Sequence, residues 1–295
     1  SYGFPAWDLI PPGEYPNAPH QGFAKAFPIA PIITTRGCPF DCSFCASHSI
    51  NGRKVRFRTV GHVLEEMDLL QNRYGVKEFH IEDDNFTINK KYVKTFCNTL
   101  KLKGIDTYWH CSSGMRLDSL DIDTLRLMKG SGCYTYTVAI ESGTNRVLKL
   151  MQKHLSVETI QKQIEMMNQA GCKPTGLFMI GFPGETKDEI SKTIQFSKSL
   201  DIKRAQFAIF HPMPGSKIWG KLKAQGRLKT LDWQKIKPSE VAYSSDIPAK
   251  ELKRLQRKAF LSFHLRPRIL WYQLREINSL EHFLYLLKRM ISMLF

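Results

Sequence analysis

Three cysteines lie close together near the start of the chain. Cys38, Cys42 and Cys45 are separated by three and then two residues, in a segment that follows an apolar stretch. Thiolates are soft ligands that suit iron, and three of them on one loop can hold three corners of a cubane iron–sulfur cluster. No obvious fourth ligand follows nearby. The spacing therefore predicts a cluster with one iron open to another ligand.

Zinc and disulfide bonds are the alternatives for these cysteines. A structural zinc site takes four Cys or His ligands, and His48, three residues after Cys45, would complete one. A second cysteine pair is missing from the sequence, and 7 cysteines in 295 residues are too few for a disulfide scaffold. The remaining cysteines stand singly, mostly in apolar segments, as buried thiols do. They are Cys97, Cys111, Cys133 and Cys172.

Strand-like apolar runs alternate with helix-like segments over most of the chain. This alternation predicts an α/β fold of parallel strands joined by crossover helices. The predicted strands are Pro31–Thr35, Glu78–Glu82, Thr107–Ser112, Tyr134–Glu141, Thr175–Gly181 and Ala205–Phe210. The predicted helices are His62–Tyr74, Lys90–Lys103, Asp121–Ser131, Val157–Ala170 and Lys187–Ser199. Six βα units are too few to close an eight-stranded barrel, and barrels of this kind carry their chemistry at the C-terminal strand ends.

Polar or glycine-containing motifs follow several of these predicted strands. The second ends in Glu82-Asp83-Asp84-Asn85-Phe86, the fourth in Glu141-Ser142-Gly143 and the fifth in Ile180-Gly181-Phe182-Pro183-Gly184-Glu185. Each motif has a structural alternative. The aspartates can cap the next helix, a lone glutamate at a strand end is often solvated, and the glycine run is a turn.

The cysteine loop, with Phe44 before its last cysteine, resembles the signature of radical S-adenosylmethionine (SAM) enzymes. The resemblance implies that Cys38, Cys42 and Cys45 hold a [4Fe-4S] cluster whose open iron binds SAM. One electron then cleaves SAM to methionine and a 5′-deoxyadenosyl radical. The resemblance also implies a partial (β/α)6 TIM-type barrel with a helical C-terminal extension.

The strand-end motifs resemble the SAM-binding motifs of this family, and they occur in the same order. The resemblance implies contacts to the methionine amino group after the second strand, to ribose or methionine after the fourth, and to adenine after the fifth. The implied SAM contacts are Phe44, Asp83, Asp84, Glu141, Ser142, Ile180 and Gly181. The resemblance names neither the site of hydrogen-atom abstraction nor a catalytic side chain.

The segment Pro5-Ala6-Trp7-Asp8-Leu9 resembles a linker in radical SAM proteins that carry an N-terminal cobalamin-binding domain. We therefore expect a linker over 1–30, the barrel over 31–227 and a basic helical extension over 228–295. An Asp-x-His-x-x-Gly cobalamin motif is missing and the chain starts at Ser1. We expect a longer protein whose cobalamin domain lies outside this sequence, and the alternative is an enzyme that works without cobalamin. The resemblance implies methylation of an unactivated carbon, or oxidative cyclisation as in magnesium-protoporphyrin ester cyclases.

The C-terminal 46 residues are basic. From Lys250 to Phe295 there are ten Lys and Arg against three Glu, a net charge of +7 out of +16 for the whole chain. Apolar residues recur at helical spacing from Leu280 to Leu294, a stretch too short and too polar to span a bilayer. This helix either docks on the rest of the protein or lies on an anionic membrane surface. We expect a cytoplasmic protein, with contact to the inner face of the membrane as the second outcome.

Partners and alternatives follow from the same observations. We expect a small-molecule or lipid substrate and an external electron donor of flavodoxin or ferredoxin type. The basic charge also suits a tRNA methylthiotransferase-like enzyme, but those append a small β-barrel for RNA, whereas this C-terminal region is predicted to be helical. Nucleic acid is therefore not the expected partner. An alternative of another class is a non-catalytic iron–sulfur electron-transfer or zinc-binding module.

Overall fold

A computed structural model of the chain describes residues 3–15, 24–229, 231–237, 240–243 and 246–277. The predicted amphipathic helix over 280–294 lies outside these residues, and so does part of the predicted linker, at 1–2 and 16–23. In the described ranges, no helix is long and apolar enough to cross a bilayer.

The described residues contain eight strands and ten helices. The strands are β1 (Ile29–Ile32), β2 (Thr35–Arg36), β3 (Arg56–Phe57), β4 (Glu78–Ile81), β5 (Tyr108–Cys111), β6 (Cys133–Glu141), β7 (Pro174–Ile180) and β8 (Arg204–Ile209). The helices are α1 (Ser47–Ile50), α2 (Val60–Tyr74), α3 (Lys90–Leu102), α4 (Ile122–Gly130), α5 (Asn145–Leu150), α6 (Val157–Gln169), α7 (Lys187–Ser199), α8 (Lys217–Ala224), α9 (Ala249–His264) and α10 (Pro267–Glu276).

The strands form an open, mostly parallel sheet in the order β1-β4-β5-β6-β7-β8, and β2 pairs with β3 in a separate antiparallel ribbon. The predicted α/β class is thereby confirmed, and the six strands and five helices predicted for the βα array are present. Strand β1 lies up to three residues earlier than predicted. Its predicted last residue, Thr35, instead begins β2.

Two compact units make up the chain. The first contains 1–40, 47–138 and 165–173, and the second contains 41–46, 139–164 and 174–295. The chain passes between units inside the cysteine loop and again inside β6, after Val138. The predicted division into linker, barrel and extension stays a prediction.

The first unit packs α2, α3 and α4 around an aromatic core. Phe86, Phe96 and Trp109 contact one another edge to face, with ring centroids 5.5–5.8 Å apart. Such pairs add to the free energy of simple burial. The helices start at polar caps: for example, Asn89 Oδ1 accepts a hydrogen bond from Tyr92 N at 3.0 Å.

A buried polar network lies on the N-terminal half of β4. Glu78 Oε2 accepts hydrogen bonds from the backbone N–H groups of Lys25 (2.7 Å) and Ala26 (3.1 Å), and Oε1 accepts one from the Tyr134 hydroxyl (2.5 Å). His80 Nε2 lies 2.9 Å from the same Oε1. Burial acts to raise the pKa of Glu78, but the hydrogen bonds from these four neighbours lower it below its ordinary value. The network attaches the segment before β1 to β4.

In the second unit, α9 covers the edge of β8. Gln256 Nε2 donates to the carbonyl of Phe207 at 2.6 Å, and His264 Nε2 lies 2.9 Å from the carbonyl of Ala205. Side chains thus satisfy carbonyls that an uncovered edge strand would present to solvent. At the start of α7, Thr186 and Glu189 form a capping box.

Candidate functional site

The first part of the cysteine loop begins at a glycine with little room. Gly37 has φ +97°, and a Cβ added there would lie 2.5 Å from the carbonyl oxygen of Lys54. Cys38, the next residue, donates its backbone N–H to the carbonyl of Gly52 at 3.2 Å. Only glycine adopts this backbone conformation without strain, and only glycine leaves room for the Lys54 carbonyl. Both reasons require glycine before the first cysteine.

Asp84 joins both flanks of the loop within the first unit. Its carboxylate accepts hydrogen bonds from Gly37 N at 2.8 Å, Ser47 Oγ at 2.5 Å and Asn51 Nδ2 at 3.0 Å. Gly37 precedes the first cysteine, whereas Ser47 and Asn51 follow the last one. A single carboxylate therefore fixes where the loop leaves and re-enters this unit.

Asp83 fixes the chain just before the loop. Its carboxylate is 3% exposed and accepts hydrogen bonds from Thr34 N (2.6 Å), Thr34 Oγ1 (2.5 Å) and Thr35 Oγ1 (2.8 Å). Burial raises the pKa of Asp83 above its ordinary value, although the threonine hydrogen bonds oppose the shift. The carboxylates of Asp83 and Asp84 thus accept hydrogen bonds from protein groups. Their contact with SAM stays a prediction.

The second part of the loop, 41–46, is attached to two helices of the second unit. Ser43 N donates to the carbonyl of Met151 at 2.8 Å, and Ser43 Oγ donates to the carbonyl of Leu150 at 3.2 Å. The carbonyl of Ser43 accepts from Ile218 N at 2.9 Å, at the start of α8. All polar groups of Ser43 are therefore used to hold the loop.

The cysteines themselves form a donor set that fits an iron–sulfur cluster. Cys38, Cys42 and Cys45 are partly exposed, and none of the seven cysteines, all within the described residues, is in a disulfide. Cys45 N donates to the carbonyl of Cys42 at 3.1 Å, which places these two on one turn. The cysteines predicted to be core thiols are buried, namely Cys97, Cys111, Cys133 and Cys172. Three accessible thiols on one anchored loop match the soft ligands that such a cluster needs.

Phe44 packs against an apolar cluster of the second unit. The cluster consists of Val147, Met151, Phe182, Phe210, Ile218, Leu222 and Tyr243. Phe44 is only partly buried, so one part of its ring is held by packing while another part remains open. The structure therefore fixes an aromatic surface between the second and third cysteines.

A buried ion pair lies beside Phe44. Lys153 Nζ donates to Glu141 Oε1 at 2.9 Å, with the two side chains 6% and 10% exposed, and Lys153 Nζ lies 5.9 Å from the centroid of the Phe44 ring. Glu141 has φ +70°, and Gln152 and His154, on either side of Lys153, have φ +53° and +54°. Left-handed backbone at residues other than glycine costs about 1–3 kcal/mol each and is concentrated at functional sites.

Ser142 lies in the interior, where its hydroxyl has protein partners. The residue is fully buried, and Ser142 Oγ lies 3.2 Å from Thr193 Oγ1 on α7. Thr193 Oγ1 also accepts a hydrogen bond from Gly143 N at 3.0 Å. The structure shows Ser142 joining the end of β6 to α7, and its contact with SAM stays a prediction.

Ile180 and Gly181 end β7 above a buried carboxyl group. Gly181 has φ +79°, and its N–H donates to Glu185 Oε2 at 2.7 Å. Phe182 N donates to the same oxygen at 3.2 Å. Burial raises the pKa of Glu185 to about 8, and the hydrogen bonds only partly offset this shift. The carboxyl therefore stabilises the turn after β7 mainly in its protonated form at neutral pH.

A cavity of about 1040 Å³ lies in the first unit, next to Arg36, the residue before Gly37. Phe4 and Trp7 of the N-terminal segment border it, together with Arg36, Arg58 and Glu82. Its volume is in the upper range of ligand pockets, and its walls combine aromatic rings with charges of both signs.

Lys153 and Glu185 were not identified as site residues by sequence reasoning. Lys153 lies in a mixed polar and apolar stretch, and its partner Glu141 is twelve positions away, so no local pattern points to it. Glu185 was visible only as the end of a turn. Its burial depends on packing that periodicity does not reveal.

Residues 32–197, more than half of the chain, match the family described as the Radical SAM superfamily. The chain belongs to the radical SAM superfamily. The family predicted from the cysteine loop is thereby confirmed, and with it the [4Fe-4S] cluster and SAM as the cofactors that this family uses.

Curated relatives include methyltransferases and cyclases. The chain is 35% identical over 288 residues to an uncharacterized methyltransferase of Pyrococcus horikoshii, covering 97% of this chain and 60% of that protein. It is 32% identical over 232 residues to a cytidylyl-2-hydroxyethylphosphonate methyltransferase of Streptomyces wedmorensis, covering 76% and 43%. An anaerobic magnesium-protoporphyrin IX monomethyl ester cyclase of Rubrivivax gelatinosus is 24% identical over 200 residues, covering 68% and 36%. The chain thus spans 60% or less of each relative.

Among solved structures, the chain resembles the cobalamin-dependent S-adenosylmethionine radical enzyme OxsB. The TM-score is 0.65 at 13% sequence identity, over 89% of this chain and 45% of that one. At this identity the similarity concerns the fold, and it agrees with the open α/β sheet of this radical SAM chain.

Substituting Asp84 tests whether it holds the loop. We expect Asp84→Ala to lower the iron bound per chain after anaerobic reconstitution, because Gly37, Ser47 and Asn51 lose their common acceptor. The free energy of unfolding should fall by about 1–3 kcal/mol. Asp68→Ala, on the exposed face of α2, is the matched control. Equal iron content in the two variants would contradict the role of Asp84.

The buried ion pair predicts that substitutions of Lys153 and Glu141 have coupled effects on the free energy of unfolding. Lys153→Met leaves the Glu141 carboxylate buried without its cation, so we expect the free energy of unfolding of the cluster-free protein to fall by about 3–5 kcal/mol. Glu141→Gln combined with Lys153→Met should recover part of this loss. Lys149→Met, at an exposed position of α5, serves as the control. Chemical denaturation compares the native protein, Glu141→Gln, Lys153→Met, the double variant and the control, and strict additivity of the two single effects would rule out the coupling.

The pKa of Glu185 predicts a pH dependence of stability. Its pKa is 4.5 ordinarily and about 8 in the folded protein, so the folded state binds the extra proton between these values. Stability therefore falls as pH rises through this window, by up to about 1.4 kcal/mol per pH unit. Glu185→Gln is neutral throughout, and its stability relative to the native protein should increase from about pH 5 to about pH 8. Glu165→Gln, exposed on α6, should show no such trend. Denaturant unfolding at several pH values measures this trend. A difference in free energy of unfolding between Glu185→Gln and the native protein that does not change with pH would contradict the raised pKa of Glu185.

Proposed function

We propose that this chain is the catalytic part of a radical SAM enzyme that methylates an unactivated carbon of a small-molecule or lipid substrate. The observation that carries the proposal is the match of 97% of the chain to a methyltransferase at 35% identity. A second methyltransferase matches 76% of the chain. Oxidative cyclisation is the second candidate, since a magnesium-protoporphyrin ester cyclase matches 68% of the chain at lower identity.

We assign the cluster to Cys38, Cys42 and Cys45. When bound, the [4Fe-4S] cluster supplies the electron that cleaves SAM. The chain contributes the anchoring of this loop, through Asp84 on one side and Ser43 on the other. An anchored loop loses less conformational entropy when the cluster binds. The anchoring therefore favours cluster assembly.

SAM binding is assigned to the residues that the motifs indicate. Phe44 offers an aromatic surface, and Ile180 and Gly181 end a strand of the same unit, which suits an adenine ring that needs apolar contact and backbone hydrogen bonds. Glu141 is polarised by Lys153 and lies at a strand end. For Asp83, Asp84 and Ser142 we propose an indirect part, because their side chains already bond to protein groups.

The electron source and any cobalamin are assigned to partners. Cluster reduction would use an external flavodoxin or ferredoxin. Cobalamin would be bound outside this chain, a proposal supported by the chain's likeness in fold to 45% of a cobalamin-dependent enzyme. The chain would act in the cytoplasm, and the predicted helix over 280–294 would provide any contact with the inner face of the membrane.

Anaerobic reconstitution tests the catalytic proposal. With iron, sulfide, dithionite and SAM, we expect the protein to form 5′-deoxyadenosine and methionine. Cys42→Ala should lose both the cluster absorbance and the product, because three thiolates hold the cluster. Cys97→Ala, which changes a buried thiol of α3, should retain both.

Two results would contradict the proposal. A cluster whose electron paramagnetic resonance spectrum does not change on addition of SAM, without 5′-deoxyadenosine, would indicate an electron-transfer module. Stoichiometric zinc in place of iron under the same conditions would indicate a structural metal site.

A further inference from the structure

A second group of metal-ligating side chains lies in the first unit. Glu78 and His80 on β4 and His110 on β5 present ligand atoms that all lie within 4.8 Å of one another. His80 Nε2 is 2.9 Å and His110 Nε2 is 4.0 Å from Glu78 Oε1. Each residue is at most 5% exposed. Nothing in the cysteine loop or the SAM motifs accounts for this group.

The register of the sheet brings the three side chains together. His80 on β4 is the direct partner of His110 on β5, and Glu78 precedes His80 by two residues. Side chains two apart on a strand share a face, and directly paired residues of neighbouring strands lie side by side. The imidazole rings consequently lie with their centroids 4.0 Å apart. Because the backbone of regular strands holds them, their arrangement is rigid.

We propose that Glu78, His80 and His110 form a mononuclear site for a divalent transition metal, with Zn²⁺ as the best match. Two imidazole nitrogens and one carboxylate oxygen are a common donor set for zinc. Bonds of about 2.1 Å at tetrahedral angles separate ligand atoms by about 3.4 Å. The two imidazole nitrogens lie 2.9 and 4.0 Å from Glu78 Oε1, and all three ligand atoms lie within 4.8 Å of one another, so each separation changes by at most about 1.4 Å to complete the site.

Groups that orient the carboxylate are already in place. Glu78 Oε2 accepts the N–H groups of Lys25 and Ala26, and Tyr134 donates its hydroxyl to Oε1. Partners of this kind fix a ligand's direction and contribute to metal affinity. Metal binding replaces the contact between His80 and Glu78, and any proton on the coordinating imidazole nitrogens leaves to solvent. The bound ion would link β4, β5 and the segment before β1.

The alternative for this group is a metal-free network in which an imidazole N–H donates to the Glu78 carboxylate. Lys25 supplies a further cation nearby, with its ammonium 4.8 and 4.9 Å from the ring centroids of Tyr108 and Tyr134. A metal-free network predicts no gain in stability from zinc. The two alternatives are therefore separated by direct measurement of metal.

The test uses the full chain with Cys38→Ala, Cys42→Ala and Cys45→Ala, because the loop thiolates would themselves bind zinc or cobalt. After Zn²⁺ loading and desalting, we expect one zinc per chain by mass spectrometry and a higher thermal midpoint. Co²⁺ should give d–d absorption without thiolate charge transfer. Adding His80→Gln or His110→Gln should abolish all three signals, whereas His62→Gln, a histidine of the same unit outside the group, should not.

Tyr134→Phe refines the test, because it removes a partner of Glu78 without removing a ligand. We expect its zinc affinity to fall by about 10–100-fold. Zinc retained equally by the His80→Gln and His110→Gln variants would overturn the proposal. If those variants fail to fold, the parent without the three loop cysteines decides alone: no bound zinc and no rise in its thermal midpoint would also overturn the proposal. The parent cannot hold the cluster, so its outcome is independent of SAM cleavage.

Discussion

Two adjacent carboxylates after β4 hold the chain that leads into the cysteine loop. Asp83 accepts three hydrogen bonds from Thr34 and Thr35, and Asp84 accepts three more from the flanks of the loop. Buried acceptors of this kind are costly when unpaired, so the donors must stay in place once the unit has folded. The close approach of the chain at Gly37 follows from this constraint, because the loop must turn where Asp84 holds it.

The remaining loop residues are constrained in the second unit by a different means. Ser43 uses its N–H, hydroxyl and carbonyl on the ends of α5 and α8. Beside it, the Glu141–Lys153 pair is accompanied by left-handed backbone at three residues other than glycine. A buried ion pair and strained backbone both reduce stability unless the surrounding packing compensates. The second unit therefore places a buried ion pair and left-handed backbone next to Phe44, within the cysteine loop.

Strand β4 has two separate polar ends. Glu78 and His80 form a buried network with His110 and Tyr134 on its N-terminal half, whereas Asp83 and Asp84 follow its C-terminal end. In α/β barrels the C-terminal ends carry chemistry and the opposite ends contribute stability. This division agrees with a catalytic loop at one end of β4 and a stabilising cation at the other.

Sequence periodicity was sufficient to predict six strands and five helices of the βα array, and α7 has the predicted bounds, Lys187–Ser199. The spacing of Cys38, Cys42 and Cys45 was sufficient for the family, because cluster ligation depends on a few residues close together in the chain. Such features are encoded within one or two turns of backbone. The sequence by itself thus determined the elements, their order and the cluster chemistry.

Tertiary structure alone decided which polar groups meet. Asp84 finds partners 33–47 residues away, Lys153 meets Glu141 across the intervening helix α5, and His110 comes beside His80 only through the register of two strands. The burial that raises the pKa of Glu185 likewise comes from distant segments, since Leu252 of α9 packs against the adjoining Gly181. These pairings depend on register and on exclusion of water, and neither leaves a periodic trace in the sequence.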